Sequence, residues 1–244
     1  MYNVNFSIIT VCFNSIENIE LTIKSVLSQK KSNYEYIIID GGSNDGTIEV
    51  IKKYAENNKS IKFITEKDEG IYDAMNKGIK MASNDLVYFL NSGDTFCNDN
   101  VLNKVSQNYN GEDIIYGNIV IDGIVNKSNE KLNKLFLIRD KMICHQAIFS
   151  KRDTFKHTGL FDIKYRFCGD RKWLMKAVKK NLTCRHIDIE VCNYDNNGIS
   201  SDNKNMVSLY KENGRIIKEE FGILVYSMVY IKRKIGNLRR DIKL

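Results

Sequence analysis

Proline is absent from this 244-residue chain, so its turns must be built from Gly, Asn, Asp and Ser. No CxxC pair or zinc-ligand rhythm links the six cysteines, Cys12, Cys97, Cys144, Cys168, Cys184 and Cys192. That excludes a structural zinc framework, and the expectation is of reduced, buried thiols in a cytosolic protein. Nothing at the start resembles a signal peptide: Met1 to Phe13 has no basic stretch, and the run from Phe6 to Phe13 is short and β-branched. The longest late apolar run, Phe221 to Ile231, is eleven residues, well short of the roughly 20 needed to span a bilayer. No G-x-G-x-x-G follows the first predicted strand, which argues against a dehydrogenase. Thr10 to Ile16 contains no Gly and no basic residue, which argues against a nucleotidyltransferase phosphate loop. Internal repeats and low-complexity linkers are also missing.

What is present is an ordinary globular balance, 43% apolar and 27% charged, in a length suited to one large α/β domain with an appendage. A net charge of +7 would suggest nucleic acid if it were spread along a groove-reading element. It is concentrated at one end instead. Between Ile231 and Leu244, six cations (Lys232, Arg233, Lys234, Arg239, Arg240, Lys243) stand against Asp241, which leaves +5 of the +7 in the tail. No nucleic-acid partner is expected. The apolar run followed by this cluster predicts an interfacial helix on an anionic membrane surface, the other reading being a helix docked on its own core.

Strand-like and helix-like patterns alternate through the first half. Strands are predicted at Phe6–Phe13, Tyr34–Ile39, Ile61–Thr65 and Leu86–Leu90, with helices at Glu17–Gln29, Thr47–Tyr54 and Ile71–Met81. Such alternation predicts a mostly parallel sheet with ligands at the carboxyl ends of its strands. After Asp94 an α+β half is expected: a hairpin from Ile114–Ile121 and Ile124–Val125 around Asp122-Gly123, and a short strand at Ala147–Phe149. A helix at Arg171–Lys180 capped by Asp170, a strand at Leu182–Cys192 and a helix at Asn205–Glu220 complete it.

Three loops should open on one edge of that sheet: Thr10–Asn14, Asp40–Thr47 and Asn91-Ser92-Gly93-Asp94. A nucleotide diphosphate needs a polar partner for its base, small residues that let the backbone approach, and a divalent cation to offset charge. Asp40, Gly41-Gly42 and Asp94 supply those types in that order, although DGGSNDGT alone is also plain turn chemistry.

The segments SIITVCFN, YIIIDGGSNDGT, EKDEGIYDAMNKGI and VYFLNSGD resemble, in order, the successive motifs of family 2 glycosyltransferases of the GT-A fold, over roughly Phe6 to Ser200. Among these the chain is similar to the small non-processive transferases of O-antigen, capsule and exopolysaccharide assembly. The resemblance implies a nucleotide-sugar donor, of UDP type, with Mg²⁺ or Mn²⁺, and inversion at the anomeric carbon. The implied acceptor is a glycan or lipid-linked glycan at the inner face of the cell membrane. Carried over by residue, Thr10, Phe13 and Asn14 match the block that touches base and ribose, and Asp40 the acid that reads the base. Asp68, Asp73 and Asn76 fall in the block that lines the donor. Asn91, Ser92, Gly93 and Asp94 form the diphosphate loop, with Asp94 as the metal-holding acid; Asn91 and Gly93 stand where many relatives place acids. Asp170 matches the catalytic base, with Gly169 replacing the acid that often precedes it. His145 and Gln146, after Cys144, resemble a block facing donor or acceptor, and Asn196–Ser200 a segment that closes over the diphosphate.

The implied division is residues 1–94 as nucleotide-sugar half, 95–202 as acceptor and catalytic half, and 203–244 as a basic helical tail. The missing Arg-Trp motif of processive synthases implies addition of one sugar. A non-catalytic nucleotide-sugar-binding or membrane scaffold protein is the reading from another class.

Overall fold

A computed structural model describes residues 4–30, 32–139, 141–196 and 203–241, the side chains of 203 and 233–241 excepted. The chain opens with β1 (Phe6–Cys12), α1 (Ile19–Leu27), β2 (Tyr34–Asp40), α2 (Thr47–Asn57), β3 (Ile61–Thr65), α3 (Ile71–Met81) and β4 (Leu86–Phe89). All of β1 and nearly all of β2 is buried, as expected for parallel strands covered on both faces, whose sequences read as continuous apolar runs. On α3 the buried positions Tyr72, Met75, Asn76 and Ile79 recur at helical spacing. Gly78 lets that helix approach β1: a Cβ there would come 2.5 Å from Cγ2 of Ile9. This contact fixes α3, and with it Tyr72 and Asp73, relative to the sheet edge.

The second half continues with β5 (Thr95–Phe96), α4 (Val101–Asn108), β6 (Ile114–Ile121), β7 (Ile124–Asn126), α5 (Lys134–Ile138), β8 (Ile148–Lys151), α6 (Thr154–Thr158), α7 (Gly169–Lys179), β9 (Cys184–Asn193) and α8 (Met206–Asp241). The described strands form one nine-stranded sheet in the order β3-β2-β1-β4-β8-β6-β9-β5, with β7 paired to β6. Strands β3, β2, β1 and β4 are mutually parallel, and β8 is antiparallel to both β4 and β6. The fold is therefore mixed α/β with a mostly parallel first half, as the sequence pattern predicts. The hairpin falls at the expected Asp122-Gly123, where Asp122 has φ 50° and Gly123 φ 77°, the double left-handed geometry of a tight hairpin turn.

One expectation needs correction. Asp170 does not cap α7: the helix begins at Gly169 with Cys168 as N-cap, so Asp170 lies inside the first turn. The late helix expected at Asn205–Glu220 does stop there: at Gly222 the backbone leaves the helix with φ 86° and ψ 169°, values that suit glycine, and a second helical stretch of α8 follows to Asp241.

Before Gly222, α8 is docked. Ile216 and Ile217 are fully buried, and burying such a side chain stabilises by about 1.5–3 kcal/mol. The Glu212 carboxylate accepts the N–H groups of Arg166, Phe167 and Cys168. Lys172, buried on α7, donates to Asp162 and to Glu219 of α8 at 2.8 and 2.7 Å. Thus α8 holds the loop that leads into Asp170. After the break Ile223, Leu224, Met228, Tyr230 and Ile231 are exposed. Among the described residues no helix is long and apolar enough to cross a membrane.

Candidate active site

The strand directions bring the predicted residues to one edge. The carboxyl ends of β1, β2 and β4 deliver Phe13, Asp40 and Asn91–Asp94. Because β8 is antiparallel to β4, the segment entering it, His145-Gln146, meets the same edge. Strand β9 is parallel to β6, and Asn193 at its end pairs with Thr95, which brings Asp195 beside Asp94.

On the first-half side, Phe13 is 62% exposed and Asn14 adopts a left-handed φ of 48°. Gly41 sits beneath Phe13, and a Cβ on it would lie 2.9 Å from Oδ2 of Asp68. Lys77 draws together Glu66, Asp68 and Asp73 at 3.0, 2.5 and 3.3 Å. Burial raises the Asp68 carboxyl above the ordinary aspartate range, against the pull of Lys77. Phe13, Gly41 and Asp68 thus lie close together beside Asn14, with Asp73 joined through Lys77 and the Phe13 ring exposed.

Three residues expected to touch the donor are buried and hydrogen-bonded within the protein. Thr10 is 0% exposed; its hydroxyl donates to the Leu90 carbonyl at 2.7 Å and is 2.9 Å from the Tyr36 hydroxyl. Its place mid-strand turns the side chain into the sheet's own packing. Asn76 is buried and clamps Phe161, donating to its carbonyl and accepting its N–H, each at 2.9 Å. Asp40 is fully buried: Oδ2 accepts from the N–H groups of Gly42 and Ser43 at 3.1 and 3.0 Å, and Oδ1 from the Ser43 hydroxyl. Its carboxylate shapes the DGGS loop from inside.

Asp94 is 3% exposed. Its Oδ1 accepts the Asp195 N–H and its Oδ2 the Gln146 amide, both at 2.9 Å. Burial raises its pKa despite those donors. Gln146 is itself buried, and its Oε1 accepts from the Cys144 thiol, so it supports Asp94 and does not line the cleft. Gly93, at φ 102°, leaves room for a carboxylate: a Cβ there would be 2.9 Å from Oδ2 of Asp195. Among the described residues no group of three His, Cys, Asp or Glu side chains is gathered as a ready metal cage. The loop does hold two buried oxygens without a hydrogen-bond partner, Asn91 Oδ1 and Ser92 Oγ. An oxygen-only set with one carboxylate at Asp94 fits a hard cation that keeps several waters and takes other ligands from a diphosphate.

Asp170 is built differently. Its Oδ1 accepts the Tyr72 hydroxyl at 2.9 Å and the Arg171 N–H at 2.8 Å. Its Oδ2 faces Nδ1 of His145 at 3.4 Å, and its side chain is 16% exposed. Burial pushes its pKa up, but His145, the Arg171 N–H and Tyr72 outweigh that and leave it below the ordinary aspartate value. Tyr72, Arg171 and His145 thus favour the ionised form of Asp170. Gly169 permits this: a Cβ there would lie 2.8 Å from the Tyr72 ring, so the missing acid at 169 makes way for the tyrosine. Tyr72 and Asp195 escaped the sequence reading. Tyr72 lies inside the block EKDEGIYDAMNKGI, but its partner Asp170 is 98 positions away, and nothing local marks Asp195. Of the expected closing segment only Asn196 is described; 197–200 lie outside the described residues.

Comparison with known proteins gives the family and the fold. The family model "Glycosyl transferase family 2" matches residues 7–182. A "PGL/p-HBAD biosynthesis glycosyltransferase" of Mycobacterium bovis is 26% identical over 198 residues, covering 79% of this chain and 77% of that protein. Among solved structures, Staphylococcus aureus TarS 1–349 in complex with UDP-GlcNAc superposes with a TM-score of 0.70 at 18% identity, covering 88% of this chain and 67% of that one. The mannosyltransferase PcManGT of Pyrobaculum calidifontis, with GDP-Man and Mn²⁺, gives 0.65 at 13% identity, covering 90% and 64%. At those identities the structures establish the shared fold.

Proposed function

The chain belongs to glycosyl transferase family 2, and on that premise we propose that it moves a single sugar from a nucleotide-sugar, of UDP type, onto a glycan or lipid-linked glycan acceptor with inversion. The observation that carries the proposal is Asp170 in the first turn of α7, whose Oδ1 is held by Tyr72 and Arg171 while Oδ2 faces Nδ1 of His145. In the reaction the acceptor hydroxyl gives its proton to Oδ2 as its oxygen bonds to the anomeric carbon. The bond from that carbon to the phosphate oxygen breaks on the opposite face, and its electron pair leaves with the nucleoside diphosphate.

Residues 1–94 serve as the donor half. Phe13 and Asn14, with the Gly41 and Asp68 recess, bind the nucleoside, and Asp40, Thr10 and Asn76 shape that recess from behind. Residues 95–202 supply Asp170 and His145 and meet the acceptor. A divalent cation, Mg²⁺ or Mn²⁺, supplies charge compensation for the diphosphate, and Asp94 would hold it. The exposed apolar stretch after Gly222, Ile223 to Ile231, with Lys232 beyond it, docks the enzyme on anionic membrane near a lipid-linked acceptor at the inner face of the membrane. The remaining expected cations, Arg233, Lys234, Arg239, Arg240 and Lys243, lie outside the residues whose side chains are described. Similar proteins named for PGL/p-HBAD biosynthesis and for poly-β-1,6-N-acetyl-D-glucosamine synthesis support a role in bacterial surface polysaccharide or glycoconjugate synthesis.

The test is a panel of nucleotide sugars incubated with the full chain, with Mg²⁺ or Mn²⁺ or a chelator, followed by NMR of the released sugar. The expected result is metal-dependent release from one UDP-sugar, with inverted anomeric configuration. Binding of nucleotide sugars with no turnover under any condition would favour the non-catalytic reading instead.

A further inference from the structure

The backbone that leads into Asp170 is held from a distant part of the chain. Half-buried Glu212, in the first stretch of α8, accepts the Arg166 N–H on Oε1 at 2.8 Å and the Phe167 and Cys168 N–H groups on Oε2 at 2.9 and 3.0 Å. Cys168 is the N-cap of α7 but its side chain makes no capping bond; its thiol points to the Leu209 carbonyl of α8 at 3.8 Å instead. The entry of the chain into α7 is therefore fixed by α8. Hydrogen bonds to a carboxylate are shorter and stronger than neutral ones, and three on successive residues fix the peptide planes just before Gly169 and Asp170. Substitution at 212 leaves α8 other anchors: Ile216 and Ile217 are fully buried, Glu219 accepts from Lys172, and Tyr226 packs on Gly214, where a Cβ would stand 3.1 Å from its ring. The family match ends at residue 182, so Glu212 comes from a segment outside the shared pattern.

We propose that Glu212 is a positioning residue for sugar transfer, which acts through Asp170 by fixing residues 166–168 and makes the first stretch of α8 part of the catalytic unit. The proposal rests on the reading of Asp170 as base. A carboxylate suits the place because all three partners donate and both of its oxygens accept. In Glu212→Gln one end of the side chain becomes a donor, so its oxygen keeps the Phe167 and Cys168 N–H groups and the Arg166 contact is lost. In Glu212→Ala all three are freed. The segment can then shift, and Asp170 with it, away from the Tyr72 hydroxyl that Oδ1 meets at 2.9 Å. Glu219, seven positions along the same helix, meets this region only through the side chains of Lys164, Tyr165 and Lys172. It is the control for loosening α8 without freeing the backbone.

The experiment compares kcat and UDP affinity of the full chain in wild type, Glu212→Gln, Glu212→Ala and Glu219→Gln, and repeats Glu212→Ala on the Asp170→Asn background. Displacing a positioned group by about 1 Å lowers a rate by roughly 100-fold, so kcat should fall by that order in Glu212→Ala. It should fall less in Glu212→Gln and stay at the wild-type level in Glu219→Gln, with UDP affinity unchanged in all. On the Asp170→Asn background Glu212→Ala should lower kcat no further, because the group it positions is already disabled. A wild-type kcat in Glu212→Ala overturns the proposal, as does an equal fall on both backgrounds or an equal fall in Glu219→Gln. Wild-type turnover in Asp170→Asn is a separate result, which removes the reading of Asp170 as base. A second measurement needs no substrate: the thirteen tyrosines are labelled with ¹³C at Cζ, and Tyr72→Phe assigns one signal by its loss. That signal should move in Glu212→Ala and hold in Glu219→Gln. A Tyr72 signal unmoved in Glu212→Ala overturns the proposal even if the chain transfers no sugar.

Discussion

Asp40 and Asp170 lie at one edge of one sheet, and their carboxylates are used in opposite ways. Asp40 is surrounded by donors from its own loop and directs both oxygens inward. Asp170 shares one oxygen with Tyr72 and Arg171 and turns the other to Nδ1 of His145. Edge position is common to both, so position alone does not make an acid catalytic. What differs is where the partners come from: Asp40 takes its donors from Gly42 and Ser43 of its own loop, whereas Asp170 meets Tyr72 and His145 of distant segments as well as its neighbour Arg171.

The largest effect that tests this contrast is on stability. Asp40→Ala should leave the Gly42 and Ser43 N–H groups and the Ser43 hydroxyl without an acceptor. At about 1–3 kcal/mol for each unsatisfied buried group, the loss should be roughly 3–5 kcal/mol. At about 2–4 °C per kcal/mol for a chain of this size, the Tm should fall by roughly 10 °C. UDP affinity of the folded fraction, measured well below Tm, should change little. An Asp40→Asn protein with unchanged Tm and lost UDP binding would break the comparison, because it would give Asp40 a direct contact with the nucleotide.

Next in size is Gly169→Ala. The new Cβ would stand 2.8 Å from the Tyr72 ring, so the ring must move and draw its hydroxyl from Asp170. Displacement of a positioned group by about 1 Å can lower a rate by roughly 100-fold. A fall of that order in kcat with unchanged UDP affinity is expected. Full activity would show that Tyr72 does not position the base.

Thr10→Val should be smaller. It removes the hydroxyl's bonds to Leu90 and Tyr36, and stability should drop by about 1–2 kcal/mol without change in nucleotide affinity, as calorimetry would report.

The smallest effect concerns Glu219, which joins α8 to α7. Burial raises its pKa, but Lys172, Tyr165 and Lys164 more than offset that and bring it down to about 2. A folded pKa below the unfolded value near 4.5 means stability that is present above that value and lost as pH falls toward about 2. Because the site is partly open, Glu219→Gln should change stability by less than about 1 kcal/mol. Denaturant melts from pH 6 to 3 should show a flatter pH dependence in the variant; equal slopes would remove this group from the α7–α8 contact.

Much of the frame was legible in the sequence because it obeys periodic rules. The first-half strands and helices came from apolar alternation, and α3 and β3 have the expected ends. The short elements β5, α4, α5 and α6 were not foreseen, since two to eight residues give too little period to read. Within the site, order along the edge was legible, but side-chain direction was not. Thr10, Asn76 and Gln146 carry the right chemistry at the right edge and turn inward, because their partners, Leu90, Phe161 and Asp94, come from distant parts of the chain. Tyr72 was hidden for the same reason: only the folded approach of α3 to α7 turns a core aromatic into a partner of Asp170.

The most direct test of the account is the rate of sugar transfer by Asp170→Asn, measured beside its UDP affinity and Tm. The amide can still accept from Tyr72 and Arg171 but cannot take the acceptor's proton, so kcat should fall by about 100- to 10,000-fold. UDP affinity and Tm should stay near wild type. The wild-type rate should hold as pH falls until below the ordinary aspartate range, since the Asp170 pKa is lowered. Wild-type turnover in Asp170→Asn would contradict the account and shift the search to another acid of the second half, beginning with Asp162.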